Sequence, residues 1–274
     1  MNMKKLIAVA VVAVTCASPS FAEKPYDGEI RIVSYNVRHC RGADNKVDAA
    51  KTAGAIKSVN PDFACLNEVK PEMARRLGKL TGMFATHCGM RSNNAILSRI
   101  PPVRIEEVAL PWASFGPRSL MICEFPDFAV GVMHFDCGEK AVRCRLESAK
   151  VVRETLARYA KPVFIAGDWN AEPDTRPVQE LKKCLKILSA ENVRTWHGFG
   201  QHKKLQPGKD EYCIDYVAVT AKSAERVSLS ETHVVKDDVT SDHYPVVVTV
   251  RLFATVSYGD AEATADQSRR DDNA

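Results

Sequence analysis

The sequence predicts an α/β sandwich, a single domain in which two packed sheets are flanked by helices. Short apolar runs of strand length recur along the chain, and turn residues bound them. Only a few segments show helical periodicity, and the runs at residues 118–125 and 128–135 are spaced as a hairpin. Many strands and few helices in one chain favour packed sheets covered by helices.

The individual elements follow from the pattern of apolar residues. Strands are predicted over residues 29–37, 62–69, 94–99, 118–125, 128–135, 162–169, 213–220 and 244–253. Helices are predicted over residues 46–58, 71–80, 141–160 and 175–183. No repeat and no linker rich in Pro, Gly or Ser separates these elements, so we expect one domain.

The N-terminus has the layout of a secretory signal peptide. Lys4 and Lys5 precede an apolar run shorter than the ~20 residues of a membrane span, and small residues stand before Glu23. We therefore expect cleavage after Ala22, a secreted or periplasmic protein, and no stable membrane insertion of the mature chain. A retained anchor and a lipoprotein signal ending at Cys16 are the alternatives.

The chain thus divides into residues 1–22 as a signal peptide, 23–253 as the folded domain and 254–274 as a disordered polar tail.

The full sequence has 38 Lys and Arg against 34 Asp and Glu, a net charge of +4. Without the signal and the tail, 34 basic and 29 acidic residues remain, a net of +5. This mild excess tolerates a phosphate-bearing substrate but does not require one. We expect a monomer.

Eight cysteines remain once Cys16 is removed with the signal peptide. An oxidising compartment permits disulfides, and an even count favours them. We expect one or two bridges among Cys40, Cys88, Cys137 and Cys144. No CxxC pair occurs, so a structural zinc site is not predicted.

Polar side chains interrupt or end several of the predicted strands. A buried polar group without a partner costs ~1 to 3 kcal/mol. These side chains must therefore have partners in one another, in a metal or in a ligand. The set comprises Asn36, Glu68, His134, Asp168, Asn170, Asp215, Asp242 and His243.

The residue types in this set favour a hard divalent cation. Carboxylate and amide oxygens suit Mg²⁺ or Mn²⁺ rather than zinc, and only His134 and His243 add nitrogen donors. Crowded carboxylates raise one another's pKa unless a cation neutralises them. A metal, two imidazoles and amide side chains suit phosphate-ester hydrolysis, because the metal stabilises developing charge while histidine moves a proton.

An ordered set of motifs resembles the endonuclease/exonuclease/phosphatase superfamily, which includes deoxyribonucleases, deadenylases, inositol phosphatases and sphingomyelinases. The motifs are "SYNVR", "DFACLNEV", "NNAILSRIP", "MHF", "AGDWNAEP", "IDYV" and "SDHYPV", between about Ile30 and Val250. One tetrapeptide would be weak evidence, whereas seven in order are specific. Two positions depart from the family: Asn67 stands where Gln is usual, and Trp169 where Phe or Leu is commoner.

The resemblance implies a four-layered α/β sandwich with two packed, mostly antiparallel sheets flanked by helices. It places the site at the top of both sheets. Glu68 would be the principal ligand of Mg²⁺ or Mn²⁺, with Asn36 and Asp242 close by. Whether one metal or two is bound stays open.

The resemblance also implies which residues are catalytic. Asp168 and Asn170 would orient or activate the attacking water and bind the phosphate. His134 and the His243–Asp215 pair would flank the phosphate from two sides. Whether Asp168 or His243 takes the proton of the water stays open.

Three further residues are assigned to the substrate. Asn94 resembles the family's asparagine before "AIL", and Trp196 and His197 lie where the family places substrate-contacting loops. A phosphodiesterase acting on nucleic acid is the leading hypothesis, because "GDWNAEP" is closer to nuclease and deadenylase members. The alternatives are a phosphatase or phospholipase on inositol phosphates or sphingomyelin, and a non-catalytic binding module. The sequence shows no clear aromatic hairpin for a membrane lipid.

Overall fold

The computed structural model describes residues 9–12, 28–89, 92–138, 141–200 and 212–253. The strands are β1 (Val9–Val12), β2 (Glu29–Asn36), β3 (Phe63–Asn67), β4 (Phe84–His87), β5 (Ala95–Ser98), β6 (Arg104–Leu110), β7 (Arg118–Glu124), β8 (Ala129–Met133), β9 (Val163–Asp168), β10 (Leu185–Ile187), β11 (Asp215–Thr220), β12 (Val227–Val234) and β13 (Val246–Leu252). The helices are α1 (Ala49–Ser58), α2 (Pro71–Thr81), α3 (Val142–Ala157) and α4 (Arg176–Lys182).

The strands form two sheets. One has the order β1-β6-β7-β8-β9-β11-β10, and the other has the order β12-β13-β2-β3-β5-β4. Neighbouring strands are antiparallel except for the parallel pairs β2–β3 and β8–β9. The predicted hairpin is the antiparallel pair β7–β8. The prediction of two mostly antiparallel sheets flanked by helices is confirmed.

Three apolar clusters hold four layers together. Side chains such as Phe63 and Phe164 fill the space between the two sheets. Val152 of α3 and Leu181 of α4 belong to the cluster that covers the outer face of the first sheet. Leu77 of α2 belongs to the cluster on the outer face of the second. Burial of these faces is the main force that packs helices onto sheets.

Local signals account for the helix ends. α1 begins where the Asp48 carboxylate accepts the backbone N–H groups of Ala50 and Lys51 at 2.9 and 3.1 Å. α2 begins with Pro71 and ends at Gly82, whose φ of 73° is left-handed. The predicted bounds of both helices are therefore within three residues of those observed.

Four strands of the domain, β4, β6, β10 and β12, were not predicted. β6 carries Glu106 and Glu107, which break the apolar pattern. Glu106 is nevertheless buried, because its carboxylate accepts the Tyr159 hydroxyl at 2.7 Å and pairs with the Arg158 guanidinium. β12 leaves most of its side chains exposed. Tertiary partners rather than local pattern place these strands in the sheets.

The predicted disulfides are wrong. The eight cysteines from Cys40 to Cys213 are all free thiols. Cys65 and Cys123 lie in the core between the sheets, and Cys88 Sγ is 3.4 Å from the Ser119 hydroxyl. These cysteines therefore serve as small core residues rather than as crosslinks.

The ends of the chain are described only in part. Val9–Val12 pairs antiparallel to β6 at the edge of the first sheet. The rest of the predicted signal peptide and the tail at 254–274 lie outside the described residues, so both stay predictions. Among the described helices, none is long and apolar enough to cross a membrane.

Candidate active site

The candidate site lies where strands of both sheets end. β2 and β3 run parallel with Asn36 beside Asn67, so Asn36 and the adjacent Glu68 reach the same edge. β9 and β11 are antiparallel, and Asp168 at the end of one faces Asp215 at the start of the other. Residues far apart in sequence therefore meet at one rim.

The turn in "AGDWN" depends on Gly167. Its φ is 137°, and an added Cβ would lie 1.9 Å from the carbonyl oxygen of Met133. Only glycine fits such an approach. The chain after β9 can thus lie close to the end of β8, where His134 follows Met133. The Asp168 N–H is fixed by the Asn67 side-chain oxygen at 2.8 Å.

Asp168 is the centre of the site. Its Oδ2 lies 3.1 Å from Asn36 Nδ2, 3.5 Å from His134 Nε2 and 3.7 Å from His243 Nε2. Its Oδ1 accepts the Asn170 N–H at 2.9 Å. Burial and the negative charge of Asp215 raise the pKa of Asp168 to about 7. The carboxylate is therefore suited to exchange a proton near neutral pH.

Asn36 connects Asp168 with the predicted metal ligands. Its Nδ2 also donates to Glu68 Oε1 at 3.2 Å. Its backbone oxygen accepts the hydroxyl of Ser241, the residue before Asp242, at 2.7 Å. The side chains of Glu68 and Asp242 are 34% and 22% exposed. Both carboxylates thus lie near Asn36 and remain open to solvent.

These residues fit a hard cation in their chemistry. Glu68 and Asp242 supply carboxylate oxygens, and the Arg38 guanidinium, at 3.6 Å from Asp242, provides part of the opposing charge. The Asn36 Oδ1 accepts the Arg38 N–H at 3.1 Å, so this amide turns its NH₂ group toward the carboxylates. Ligation of a metal by Asn36 itself therefore stays a prediction.

His243 lies between two buried carboxylates. Its Nδ1 is 2.8 Å from Asp215 Oδ2, which also accepts the Thr195 hydroxyl at 2.8 Å. Burial opposes the charged imidazole, but Asp215 and Asp168 outweigh it and raise the pKa of His243 to about 10. His243, Asp168 and Asp215 also offer three ligand atoms within 4.8 Å of one another. A protonated imidazole supplies the positive charge that holds these carboxylates together.

His134 has a positively charged partner, whereas the partners of His243 are negatively charged. Its Nδ1 lies 3.2 Å from an NH group of Arg118, and a guanidinium only donates, so Nδ1 accepts. The ring proton is therefore on Nε2, which faces Asp168. Burial, and then the charges of Arg118 and His243, hold the pKa of His134 well below its usual range. His134 is a neutral donor.

Asn170 and Asn94 differ in their access to the site. Asn170 follows Asp168 in a left-handed conformation with φ of 47°, and its Nδ2 donates to the Phe135 oxygen at 3.1 Å. Asn94 is buried. Its Oδ1 accepts a hydrogen bond from Asn67 Nδ2 at 2.9 Å, and its Nδ2 donates to the Ser119 carbonyl oxygen at 3.1 Å. Asn94 thus supports Asn67 from behind, and its contact with a substrate stays a prediction.

Trp196 and His197 lie beside the segment that carries Asp242 and His243. The Trp196 ring centroid is 6.3 Å from that of His243. His197 is buried, its ring stacks on Tyr244 at 4.4 Å, and its Nε2 is 2.9 Å from the Ser241 carbonyl oxygen. Contact of either residue with a substrate stays a prediction.

Three residues near the site, Arg118, Asp136 and His39, were not predicted from the sequence. A buried arginine is rare unless paired, so an arginine that opens an apolar strand was a usable signal for Arg118. His39 is 43% exposed, but its Nε2 lies 3.9 Å from Glu68 Oε2. The left-handed backbone from Arg38 to Cys40, with φ between 45° and 58°, turns it there. No pattern in the sequence signals that turn.

The model of the Endonuclease/Exonuclease/phosphatase family matches residues 33–243. A solved endonuclease/exonuclease/phosphatase from Bacteroides vulgatus has a TM-score of 0.70 and 17% identity, and the match covers 82% of this chain and 99% of that one. Mannosyl-6-phosphatase of Bacteroides thetaiotaomicron has a TM-score of 0.64 and 19% identity, and the match covers 81% of this chain and 99% of that one. TDP2 of D. rerio, complexed with a single strand DNA product, has a TM-score of 0.64 and 20% identity, and the match covers 82% of this chain and 99% of that one. No curated protein matches the chain. At these identities the solved structures establish the fold.

Proposed function

The chain belongs to the Endonuclease/Exonuclease/phosphatase family, and we propose from this premise that it is a secreted or periplasmic, metal-dependent phosphodiesterase that acts on nucleic acid. One observation carries the proposal. A buried carboxylate, Asp168, lies between His134 and His243 at 3.5 and 3.7 Å, next to the solvent-open carboxylates of Glu68 and Asp242. Such an arrangement suits transfer of a phosphoryl group to water.

The three buried groups divide the proton transfers among them. Asp168, with a pKa of about 7, accepts a proton from the attacking water near neutral pH. His243, kept protonated by Asp215, donates a hydrogen bond or a proton to a phosphate or leaving-group oxygen. The Nε2–H of neutral His134 donates from the other side. Preorganised donors of this kind stabilise the charge that develops in the transition state.

The chemistry of the site also fits a divalent cation, which members of this family generally use. Glu68 and Asp242 would hold Mg²⁺ or Mn²⁺, with Asn36 beside them. The cation, when bound, would stabilise charge on the phosphate oxygens. Asn36 bridges the carboxylates of Glu68 and Asp168 at 3.2 and 3.1 Å, so negative charge is crowded where a cation would relieve it.

Metal removal tests this assignment. Excess chelator should lower hydrolysis by the mature protein at least ~100-fold, and added Mg²⁺ or Mn²⁺ should restore it. Glu68→Gln should raise the metal concentration needed for half-maximal activity. Glu72→Gln, on the exposed first turn of α2, is the matched control and should not. Full activity in excess chelator would contradict the metal assignment.

A substrate panel tests the nucleic-acid part of the proposal. The motif "GDWNAEP" and the similarity to TDP2, solved with a single strand DNA product, support nucleic acid. We expect oligonucleotide or plasmid to be cut at least about tenfold faster than inositol phosphates or sphingomyelin. The similarity to mannosyl-6-phosphatase makes a sugar phosphate the second candidate. A higher kcat/KM on mannose 6-phosphate would replace the nuclease hypothesis.

Secretion is part of the same proposal and has its own test. The N-terminal lysines and the short apolar run support cleavage after Ala22. Cleavage would remove β1 and leave β6 as the edge strand of its sheet. Protein recovered from outside the cytoplasm should begin at Glu23 on N-terminal sequencing. Recovery of a chain that still begins at Met1 would contradict the proposal.

A further inference from the structure

We propose that the loop between β6 and β7, residues 111–117, is a stacking platform for an unpaired nucleobase beside the cleaved phosphate, so that the enzyme prefers single-stranded nucleic acid. This inference rests on the proposed function and adds a substrate class to it. The loop exposes two aromatic side chains, Trp112 at 48% and Phe115 at 74%. Solvent-exposed aromatic rings near a phosphate site are the groups on which unpaired bases stack.

A buried carboxylate fixes this platform to the site. Asp136 Oδ2 accepts the backbone N–H groups of Ala113 and Ser114 at 2.7 and 2.9 Å. These two residues lie between Trp112 and Phe115, so the bonds hold the backbone that carries both rings. Asp136 is fully buried. The platform is therefore held in one place before any ligand binds, which lowers the entropic cost of binding.

Arg118 connects the platform to the catalytic residues. One NH group of its guanidinium lies 3.7 Å from Asp136 Oδ1, and the other lies 3.2 Å from His134 Nδ1. The Nε2 of His134 in turn lies 3.5 Å from Asp168 Oδ2. Three side chains, Asp136, Arg118 and His134, thus connect the loop backbone to Asp168 at the centre of the site.

Arg118 also has an unused donor. It is 9% exposed, and its Nε is buried without a hydrogen-bond partner among the described residues. A buried donor normally has a partner, and guanidinium groups bind phosphate oxygens strongly. The guanidinium therefore places an incompletely paired positive charge at the base of the loop, which favours a phosphate nearby.

A second guanidinium contacts the backbone of the same residue, Asp136. Arg145 donates to the backbone oxygens of Asp136 and Gly138, both at 2.9 Å. Two arginines at the base of an aromatic loop combine the two features that bind a nucleotide, a cation for the backbone and a flat ring for the base.

The position of the charges favours a nucleotide over a membrane surface. Residues 111–117 contain no Lys or Arg, and the two cations that contact Asp136 among the described residues are the buried Arg118 and the half-buried Arg145. A membrane-binding loop would present exposed basic residues around its aromatic rings. A duplex keeps its bases stacked inside, so only an unpaired base presents a face to Trp112 or Phe115.

The experiment compares binding that depends on the bases with binding that depends only on the sugar-phosphate backbone. Binding of a phosphorothioate dT octamer and of an abasic octamer with the same backbone charge is measured with the mature protein. Trp112→Ala combined with Phe115→Ala should weaken dT binding at least about tenfold and abasic binding less than about twofold. Trp112→Phe should retain most of the affinity. Phe84→Ala, 53% exposed at the start of β4 and away from the site, is the matched control and should change neither.

Each outcome decides one point. Equal losses on dT and abasic octamers, or no loss on either, overturn the platform. Loss of binding to phosphatidylserine vesicles with unchanged dT binding overturns it in favour of a membrane surface. A raised KM for mannose 6-phosphate with unchanged dT binding overturns it in favour of a sugar. If dT binds through the loop but is not cut, the proposed function fails and the platform stands. If dT is cut and the variants bind it as the wild type does, the platform fails and the proposed function stands.

Discussion

His134 and His243 flank the same carboxylate but have partners of opposite charge. Their Nε2 atoms lie 3.5 and 3.7 Å from Asp168 Oδ2. Behind His134 is the guanidinium of Arg118, and behind His243 is the carboxylate of Asp215. The pKa of His134 is accordingly lowered and that of His243 is raised. The residue behind each imidazole, and not the imidazole itself, therefore sets its charge.

This difference gives the two sides of the site different chemistry. A protonated His243 can give up its proton to a leaving oxygen, whereas neutral His134 can only donate a hydrogen bond from Nε2 at neutral pH. The carboxylate between them is thus flanked by one cation and one neutral donor. Variants that exchange or remove these partners should separate the two roles.

The largest effect is expected from removal of the group that both histidines share. Asp168→Asn should lower kcat at least ~100-fold, because the amide cannot accept a proton from water. Steady-state kinetics with circular dichroism as a check on folding measures it. Asp174→Asn, an exposed carboxylate in the loop that follows, is the control. Near-normal turnover by Asp168→Asn would mean that another group is the base.

The next effect is expected on the His243 side. Asp215→Asn removes the strongest attraction for the imidazolium, so the pKa of His243 should fall from about 10 toward its ordinary 6.5. We expect at least about tenfold lower kcat at neutral pH, where the imidazole would lose its proton. NMR titration of the ring protons measures the pKa. An unchanged His243 pKa would show that Asp215 does not set it.

On the His134 side we expect a smaller loss of activity, and a pKa shift in the opposite direction. Arg118→Met removes a positive charge at Nδ1, so the pKa of His134 should rise, although burial still lowers it. We expect activity to fall about tenfold, because His134 then loses its fixed tautomer. The same NMR titration follows both rings. A fall in the pKa of His134, or a shift confined to His243, would contradict the comparison.

The smallest effect is expected at a third histidine, His197, whose nearest polar partner is a backbone carbonyl oxygen. His197 bonds the Ser241 carbonyl and stacks on Tyr244. His197→Gln should lower the free energy of unfolding by about 1 kcal/mol, the value of one buried hydrogen bond. Its kcat/KM should stay within about threefold of the wild type. Urea unfolding and steady-state kinetics measure the two. A much larger kinetic loss would support the substrate contact that the sequence predicted for His197.

The fold was predictable wherever a strand is apolar on its buried faces. The parallel neighbours of the site, β2, β3, β8 and β9, were all predicted within two residues at each end. β6 was missed because the buried Glu106 resembles a surface residue until its partners Arg158 and Tyr159 are known. β12 was missed because its exposed side chains carry no apolar alternation.

The convergence of the polar groups at the site was predictable, whereas the charge of each group was not. Polar groups at strand ends were expected to meet because they could not be buried alone, and Asn36, Asp168, His134, Asp215 and His243 are joined by contacts of 3.7 Å or less. The bridges expected among cysteines were wrong, since an even count says nothing about which thiols lie close together.

By itself the sequence determined the class of chemistry, because residue type fixes which groups can bind a hard cation, accept a proton or donate a hydrogen bond. The tertiary structure alone decided which charge stands behind each histidine, and that the aromatic rings of Trp112 and Phe115 are exposed beside Arg118. The reason is that pKa values and binding surfaces depend on distance and burial. Both are set by contacts between segments more than a hundred residues apart in the chain, such as the hydrogen bond from the Asp168 N–H to the Asn67 side chain.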